Sequence, residues 1–167
     1  MVRAKLRACP LDTTMTTESP EDILARAKQR GQAMHLPYAG ALLPAEAHAL
    51  MQLVPASKLV DVRTQAEWDY VGHVPGSVLI EWNTYPSGQR NQAFLDQLQA
   101  RVAKTDAPIM FLCRSGARSH HAAQAATPSG YPNSYNILEG FEGDKDANGH
   151  RNTVGGWRVA GLPWVQG

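Results

Sequence analysis

The run Ile109-Met110-Phe111-Leu112 is uniformly apolar and stops abruptly at Cys113-Arg114-Ser115-Gly116-Ala117-Arg118-Ser119. A short apolar run bounded by turn-forming residues reads as a buried strand. The stretch His120-His121-Ala122-Ala123-Gln124-Ala125-Ala126 that follows reads as a helix. Strand, short loop and helix in that order constrain the rest of the chain, because the same alternation recurs along it. Strands are expected over 39–43, 59–63, 78–80 and 134–138, besides 109–112. Helices are expected over 44–53, 64–70, 94–103 and 118–126. Alternating strands and helices predict an α/β fold: a parallel sheet of about five strands with helices on both faces. Ligands of such sheets gather beyond the carboxyl ends of the strands. Cys113 stands at such an end, and Asp61 and Arg63 end a strand on the same side.

A cysteine between a strand and a helix N-terminus has a chemical use. Backbone N–H groups and the positive end of a helix dipole, aimed at a sulfur, favour its thiolate. Gly116 lets the loop turn tightly with its amides inward, as a nest for an anion. Arg114 and Arg118 add positive charge at the mouth. A cysteine closing an apolar strand is more often a small buried hydrophobe. Two arginines, two serines and a glycine in the loop point instead to a reactive thiolate and an anionic substrate centred on sulfur or phosphorus.

Size and charge exclude other classes. A chain of 167 residues, 43% hydrophobic, reads as one domain able to bury its own core without a metal or disulfide. A net charge of +1 gives no electrostatic case for nucleic acid or an anionic membrane. No apolar segment approaches the roughly 20 residues that span a bilayer. The two cysteines, Cys9 and Cys113, are expected as free thiols in a reducing cytoplasm. Histidine and cysteine spacing matches no zinc pattern, so no metal is expected. Residues 1–18 read as a disordered extension, with Met15 a second plausible start. Ser19-Pro20-Glu21-Asp22 opens a helix, a Ser N-cap with Pro and acids in the first turn, that should run to about Leu36. Ile23, Leu24, Ala27 and Met34 share its packing face, and Gly31 should weaken its last turns by about 1 kcal/mol relative to Ala.

The cysteine loop resembles the active-site loop of rhodaneses, sulfurtransferases that carry sulfane sulfur as a cysteine persulfide. Leu59-Val60-Asp61-Val62-Arg63 with Glu67, then Gly72-His73-Val74-Pro75-Gly76-Ser77, resemble that family's N-terminal signatures. Gly155-Gly156-Trp157 and Gly161-Leu162-Pro163 resemble its C-terminal ending. The order and spacing of these pieces match over residues 37–167, which sets the rhodanese-like domain there, with 19–36 as a helix packed on it. The resemblance implies a two-step exchange. Cys113 takes sulfur from a small anionic donor such as thiosulfate and passes it to cyanide, a thiol or a protein acceptor. The only carrier is the Cys113 persulfide, with no cofactor. The amides of Arg114, Ser115, Gly116, Ala117, Arg118 and Ser119 would bind the transferred group.

Loop length bears on the rival chemistry. Cysteine phosphatases place five residues between Cys and Arg, whereas four separate Cys113 from Arg118. A phosphatase or arsenate reductase is therefore the weaker alternative. A non-catalytic binding module of the same fold is another, although such modules typically lack the cysteine or the loop charges. Arg63 and Glu67 are expected to pair as structural support. Asp61 is expected to accept loop amides, and His73 to hydrogen-bond within its Gly-His-Val-Pro-Gly turn. Of His120 and His121, one should be buried and the other solvated. Residues 139–151, rich in glycine and charge, read as a solvated loop that lies where it could wall the substrate pocket. They lack the closing Glu of a calcium loop. Trp157 and Trp164 are expected to pack the C-terminal segment.

Overall fold

The computed structural model describes residues 17–167. The extension expected over residues 1–18 falls almost wholly outside them, and so does Cys9. Five strands form one parallel sheet: β1 (Gly40–Leu42), β2 (Lys58–Asp61), β3 (Val78–Leu79), β4 (Ile109–Leu112) and β5 (Ser134–Ile137), in the order β1-β5-β4-β2-β3. Five α-helices connect or flank them: α1 (Pro20–Ala33), α2 (Pro44–Leu53), α3 (Gln65–Tyr70), α4 (Phe94–Arg101) and α5 (Ala117–Ala126). The α/β reading holds, and element boundaries differ from expectation by a residue or two, or three at the end of α1. Among the described residues no helix is long and apolar enough to cross a membrane.

The two-residue period of a strand sends alternate side chains to opposite faces. Val60, Ile109, Phe111 and Cys113 therefore pack with Phe94 and Leu98 of α4 and Ala122, Ala123 and Ala126 of α5. Leu59, Met110, Leu112, Tyr135 and Ile137 pack on the other face with Ile23 and Ala27 of α1, Ala47 and Leu50 of α2, and Phe141 and Trp157. β4 is buried on both faces because it is flanked by β2 and β5 and covered from both sides.

α1 starts as its sequence dictates, with the Ser19 side chain accepting the Asp22 N–H at 3.2 Å. It ends at Ala33 rather than Leu36. His35 takes φ 54°, and the Leu36 N–H turns back to the Gly31 carbonyl at 2.9 Å. Met34 thus leaves the packing face and is 47% exposed. Gly31 has a positive reason to be there. A Cβ on it would meet the Gly40 Cα at 2.8 Å, and one on Gly40 would meet the Ala27 carbonyl oxygen at 2.5 Å. Helix and edge strand cross backbone to backbone, so the small propensity loss permits close packing. Arg26 and Arg30 of α1 clamp Glu46 of α2. Burial would raise the Glu46 carboxyl, but the Leu43 N–H and these two guanidinium groups hold it below its ordinary value.

Candidate active site

Cys113 follows β4 directly and is 1% exposed. The chain then turns through Gly116, at φ 108°, into α5. A Cβ at Gly116 would meet nothing closer than 3.9 Å, so the backbone angle, not space, calls for glycine. Two donors reach the sulfur: the Gly116 N–H at 3.1 Å and the Ser119 hydroxyl at 3.2 Å. The expected full ring of amides reduces, at Sγ itself, to one amide and one hydroxyl. Ser119 is fully buried and also lies 2.6 Å from Asn136 Oδ1. A hydroxyl has one proton and cannot serve both acceptors at once. With a thiol, that proton rests on Asn136 and the S–H can donate to Oγ. With a thiolate, it can turn to the sulfur. Asn136 also donates its amide N–H to the Gly116 carbonyl at 3.1 Å, fixing the loop from β5.

The loop is held from behind by backbone. Phe141 N–H donates to the Cys113 carbonyl at 2.8 Å, and Glu142 and Gly143 N–H donate to the Arg114 carbonyl at 3.0 and 3.2 Å. Gly140, at φ 65°, makes this approach possible. A Cβ there would lie 2.5 Å from the carbonyl oxygens of both Cys113 and Arg114. Of the stretch expected as a solvated loop, Glu139 and most of residues 144–150 are exposed, whereas Gly140, Phe141 and Gly143 are buried against the cysteine loop.

The expected Arg63–Glu67 pair does not form. Asp61 ends β2, and Arg63, two residues beyond the strand, folds back onto it. Both are fully buried, with Arg63 Nη2 2.6 Å from Asp61 Oδ2. The guanidinium also donates to the Gly72 carbonyl at 2.8 Å and stacks over Phe141, 4.2 Å from the ring centre. Asp61 accepts the Arg63 N–H, not the amides of the cysteine loop. Glu67 turns the other way. Thr64 caps α3 with its hydroxyl to the Glu67 N–H, and Glu67 Oε2 returns a bond to the Thr64 N–H at 2.9 Å. Both carboxylate oxygens take Arg118 at 2.8 Å. Burial would raise this carboxyl, yet Arg118 and the Thr64 N–H outweigh it and hold it at about 2. Burial would lower Arg118, and Glu67 raises it instead.

His73 does not bond within its own turn either. Its backbone pairs with Val165 near the C-terminus, at 2.8 and 2.9 Å, while its buried Nδ1 finds no partner among the described residues. His120 is half-buried and His121 exposed, as expected. Trp157 is fully buried, its indole N–H donating to the Pro163 carbonyl at 2.8 Å.

Outside the loop opens a cleft of about 630 Å³, lined by Arg114, Arg118, Glu142 and Arg151 and rimmed by Tyr70 and Tyr85. Arg114 is exposed and has no ion pair among the described residues. Arg151 donates to the Gly143 carbonyl at 2.7 Å and makes no ion pair among the described residues. Sequence reasoning missed Asn136; within residues 139–151, of which Glu142 and Arg151 do line the cleft, it singled out neither Arg151 nor Gly140. A polar residue inside a strand and a glycine beside a strand end were the available signals. No cluster of His, Cys, Asp and Glu that could hold a metal occurs among the described residues.

A family model for the rhodanese-like domain matches residues 43–147. The chain belongs to the rhodanese-like domain family. The crystal structure of Rv0390 from M. tuberculosis is 45% identical, with a TM-score of 0.72, over 78% of this chain and 99% of that one. An uncharacterized protein of Rickettsia prowazekii is 42% identical over 109 residues, 64% of this chain and 80% of its own length. The polysulfide-sulfur transferase of Wolinella succinogenes shares the rhodanese-like fold, with 21% identity and a TM-score of 0.53 over 90% of this chain and 95% of that one.

Proposed function

We propose that this rhodanese-like chain is a sulfurtransferase whose carrier is a persulfide on Cys113. The observation that carries the reading is the donor pair on Sγ, Gly116 N–H and Ser119 O–H, at the mouth of α5. The Gly116 amide is fixed by the loop, and the Ser119 hydroxyl turns from Asn136 to the sulfur as the thiolate forms, so both stabilise its negative charge. Membership of a fold family that includes a named sulfur transferase supports the same chemistry.

The exchange runs in two steps. The Cys113 thiolate attacks the outer sulfur of thiosulfate. A Cys113–sulfur bond forms, the donor S–S bond breaks, and its electron pair leaves on sulfite. A thiolate or cyanide then attacks the outer sulfur. The Cys113–sulfur bond breaks and the thiolate returns. Electrons balance within the cycle, so no cofactor is required. Arg114 and Arg151 draw the anionic donor into the cleft. Arg118, tied to Glu67, fixes the loop against α3 and adds charge at shorter range. A reducing cytoplasm suits this chemistry, since it keeps the Cys113 thiol available.

The test is a paired assay on purified protein. Thiosulfate with cyanide should give sulfite and thiocyanate in equal amounts, while an aryl phosphate should be left intact. Inserting one residue between Cys113 and Arg118 should reduce sulfur transfer, because it widens the loop around the sulfur. Cys113-dependent phosphate release without sulfur transfer would replace this reading with the phosphatase one. Silence in both assays would favour the binding module.

A further inference from the structure

Two acceptors meet at Ser119. Its buried hydroxyl lies 2.6 Å from Asn136 Oδ1 and 3.2 Å from Cys113 Sγ, and it has one proton to give. Which acceptor holds that proton depends on the charge of the sulfur. In the thiol, Sγ is neutral and the proton stays on the nearer oxygen. In a persulfide Sγ is neutral again, because the negative charge has moved to the outer sulfur. Only in the free thiolate does Sγ carry the charge that draws the proton away from Asn136. Asn136 is 4% exposed, and no other donor reaches its Oδ1 among the described residues. Losing Ser119 leaves that oxygen buried and unpaired, which is costly.

The amide cannot avoid this cost by turning over. Its Nδ2 donates to the Gly116 carbonyl at 3.1 Å, so a flipped amide would set oxygen against oxygen. Tyr38 holds the same side chain: burial raises its phenol to about 12, opposed by a hydrogen bond from Asn136. The Tyr38 hydroxyl in turn lies 2.7 Å from His120 Nδ1. Burial, and then His121, hold His120 below the ordinary histidine range, so its neutral ring accepts the phenol proton. Tyr38 precedes the residues matched by the rhodanese-like family model, which begin at 43. The charged groups around the loop are Arg114, Arg118 with Glu67, and the Asp61–Arg63 pair. None of them is hydrogen-bonded to Asn136, so changes at Asn136 leave them in place.

We propose that Asn136 is a positioning residue that, through Ser119, favours the two neutral forms of Cys113 Sγ, thiol and persulfide, over the free thiolate. The inference rests on the sulfurtransferase reading for its role in transfer, but its claim on the thiolate does not need turnover. Its effect on the cycle has a definite sign. When a nucleophile attacks the outer sulfur, the Cys113–sulfur bond breaks, its electron pair returns to Sγ, and Ser119 must leave Asn136. The carried sulfur is thereby held against weak nucleophiles, including the sulfite that was its own leaving group.

Two readouts test this in Asn136→Leu and in the milder Tyr38→Phe, which keeps the ring and loses only the hydroxyl. The first is the rate of Cys113 alkylation by iodoacetamide at pH 7, which should rise about tenfold in Asn136→Leu. The second is persulfide occupancy, weighed by intact-protein mass spectrometry in mixtures of thiosulfate and sulfite at pH 9. The sulfite-to-thiosulfate ratio that leaves half the protein charged should fall about tenfold. Tyr38→Phe should move both readouts the same way by about twofold. In a Ser119→Ala background, Asn136→Leu should change neither, which separates this role from mere bracing of the loop. Unchanged or opposite readouts in both variants, or an effect of Asn136→Leu that persists without the Ser119 hydroxyl, would overturn the inference. Failure of the sulfurtransferase reading looks different: thiosulfate alone charges neither wild type nor variant, and the alkylation rates still decide the role of Asn136.

Discussion

The cysteine loop, residues 113–119, and the segment behind it, residues 139–156, touch along Cys113 and Arg114 but differ in how they are specified. The first is specified by side chains: a thiol, a hydroxyl on it, and arginines at the mouth. The second is specified largely by missing side chains. Gly140 clears the carbonyls of Cys113 and Arg114, and Gly143 and Gly155 approach each other so closely that a Cβ on Gly143 would lie 2.2 Å from the Gly155 oxygen. One stretch holds the chemistry, and the other holds the backbone that aims it. A substitution should therefore act through reactivity in the first and through geometry and stability in the second.

Cys113→Ser is the largest test of that division. It should take sulfur transfer below detection while leaving the far-ultraviolet circular dichroism and the thermal midpoint close to wild type. A collapse of the fold would mean that Cys113 is a packing residue first. Gly140→Ala comes next and should invert the pattern. Strained φ and a clash with two carbonyls should cost about 3 kcal/mol, or roughly 10 °C in the thermal midpoint, and should impair transfer although every reactive group remains. Near-wild-type stability would show that the base of the second segment is not built as described.

Glu67→Gln sharpens the comparison from the side of α3. It leaves the half-buried Arg118 without its counter-charge and should cost about 2 kcal/mol near neutral pH. The sign in acid follows from the depressed carboxyl. A folded value of about 2, below the ordinary 4.5, gives stability that is fully present above pH 4.5 and lost as pH falls towards 2. Urea unfolding of the wild type should lose that increment over this window, and Glu67→Gln should flatten it. A wild-type curve no steeper than that of the variant would contradict the pairing. Smallest of all, Lys145→Ala at the exposed tip should change stability by less than about 0.5 kcal/mol and leave transfer unaltered. A clear loss of activity there would extend the site to the tip.

Much of the fold was legible because apolar runs and breakers mark strands and helices locally. β4 and α2 fall where the sequence places them, and the cysteine loop announces itself by chemistry that no core would choose. Partnerships across the sheet were not legible. Proximity in sequence suggests Glu67 for Arg63, yet Arg63 folds back on Asp61 at the strand end and leaves Glu67 for Arg118, 51 residues on. Asn136 reads as one polar residue in a short strand until β5 is known to lie beside β4. The role of residues 139–143 was hidden for a similar reason. Their contacts are main-chain hydrogen bonds, which every residue can make, and only the glycines hint at how close the approach is. Helical periodicity puts Met34 on the packing face, but the helix stops at Ala33 and the chain turns off at His35.

The central claim is that Cys113 carries sulfur, and intact-protein mass spectrometry tests it most directly. Reduced protein is incubated with thiosulfate, freed of small molecules and weighed before and after cyanide. The account predicts a mass gain of one sulfur atom, localised to Cys113 by peptide mapping and removed by cyanide as thiocyanate. An unchanged mass while Cys113 remains alkylatable, or a sulfur located anywhere but Cys113, would contradict it.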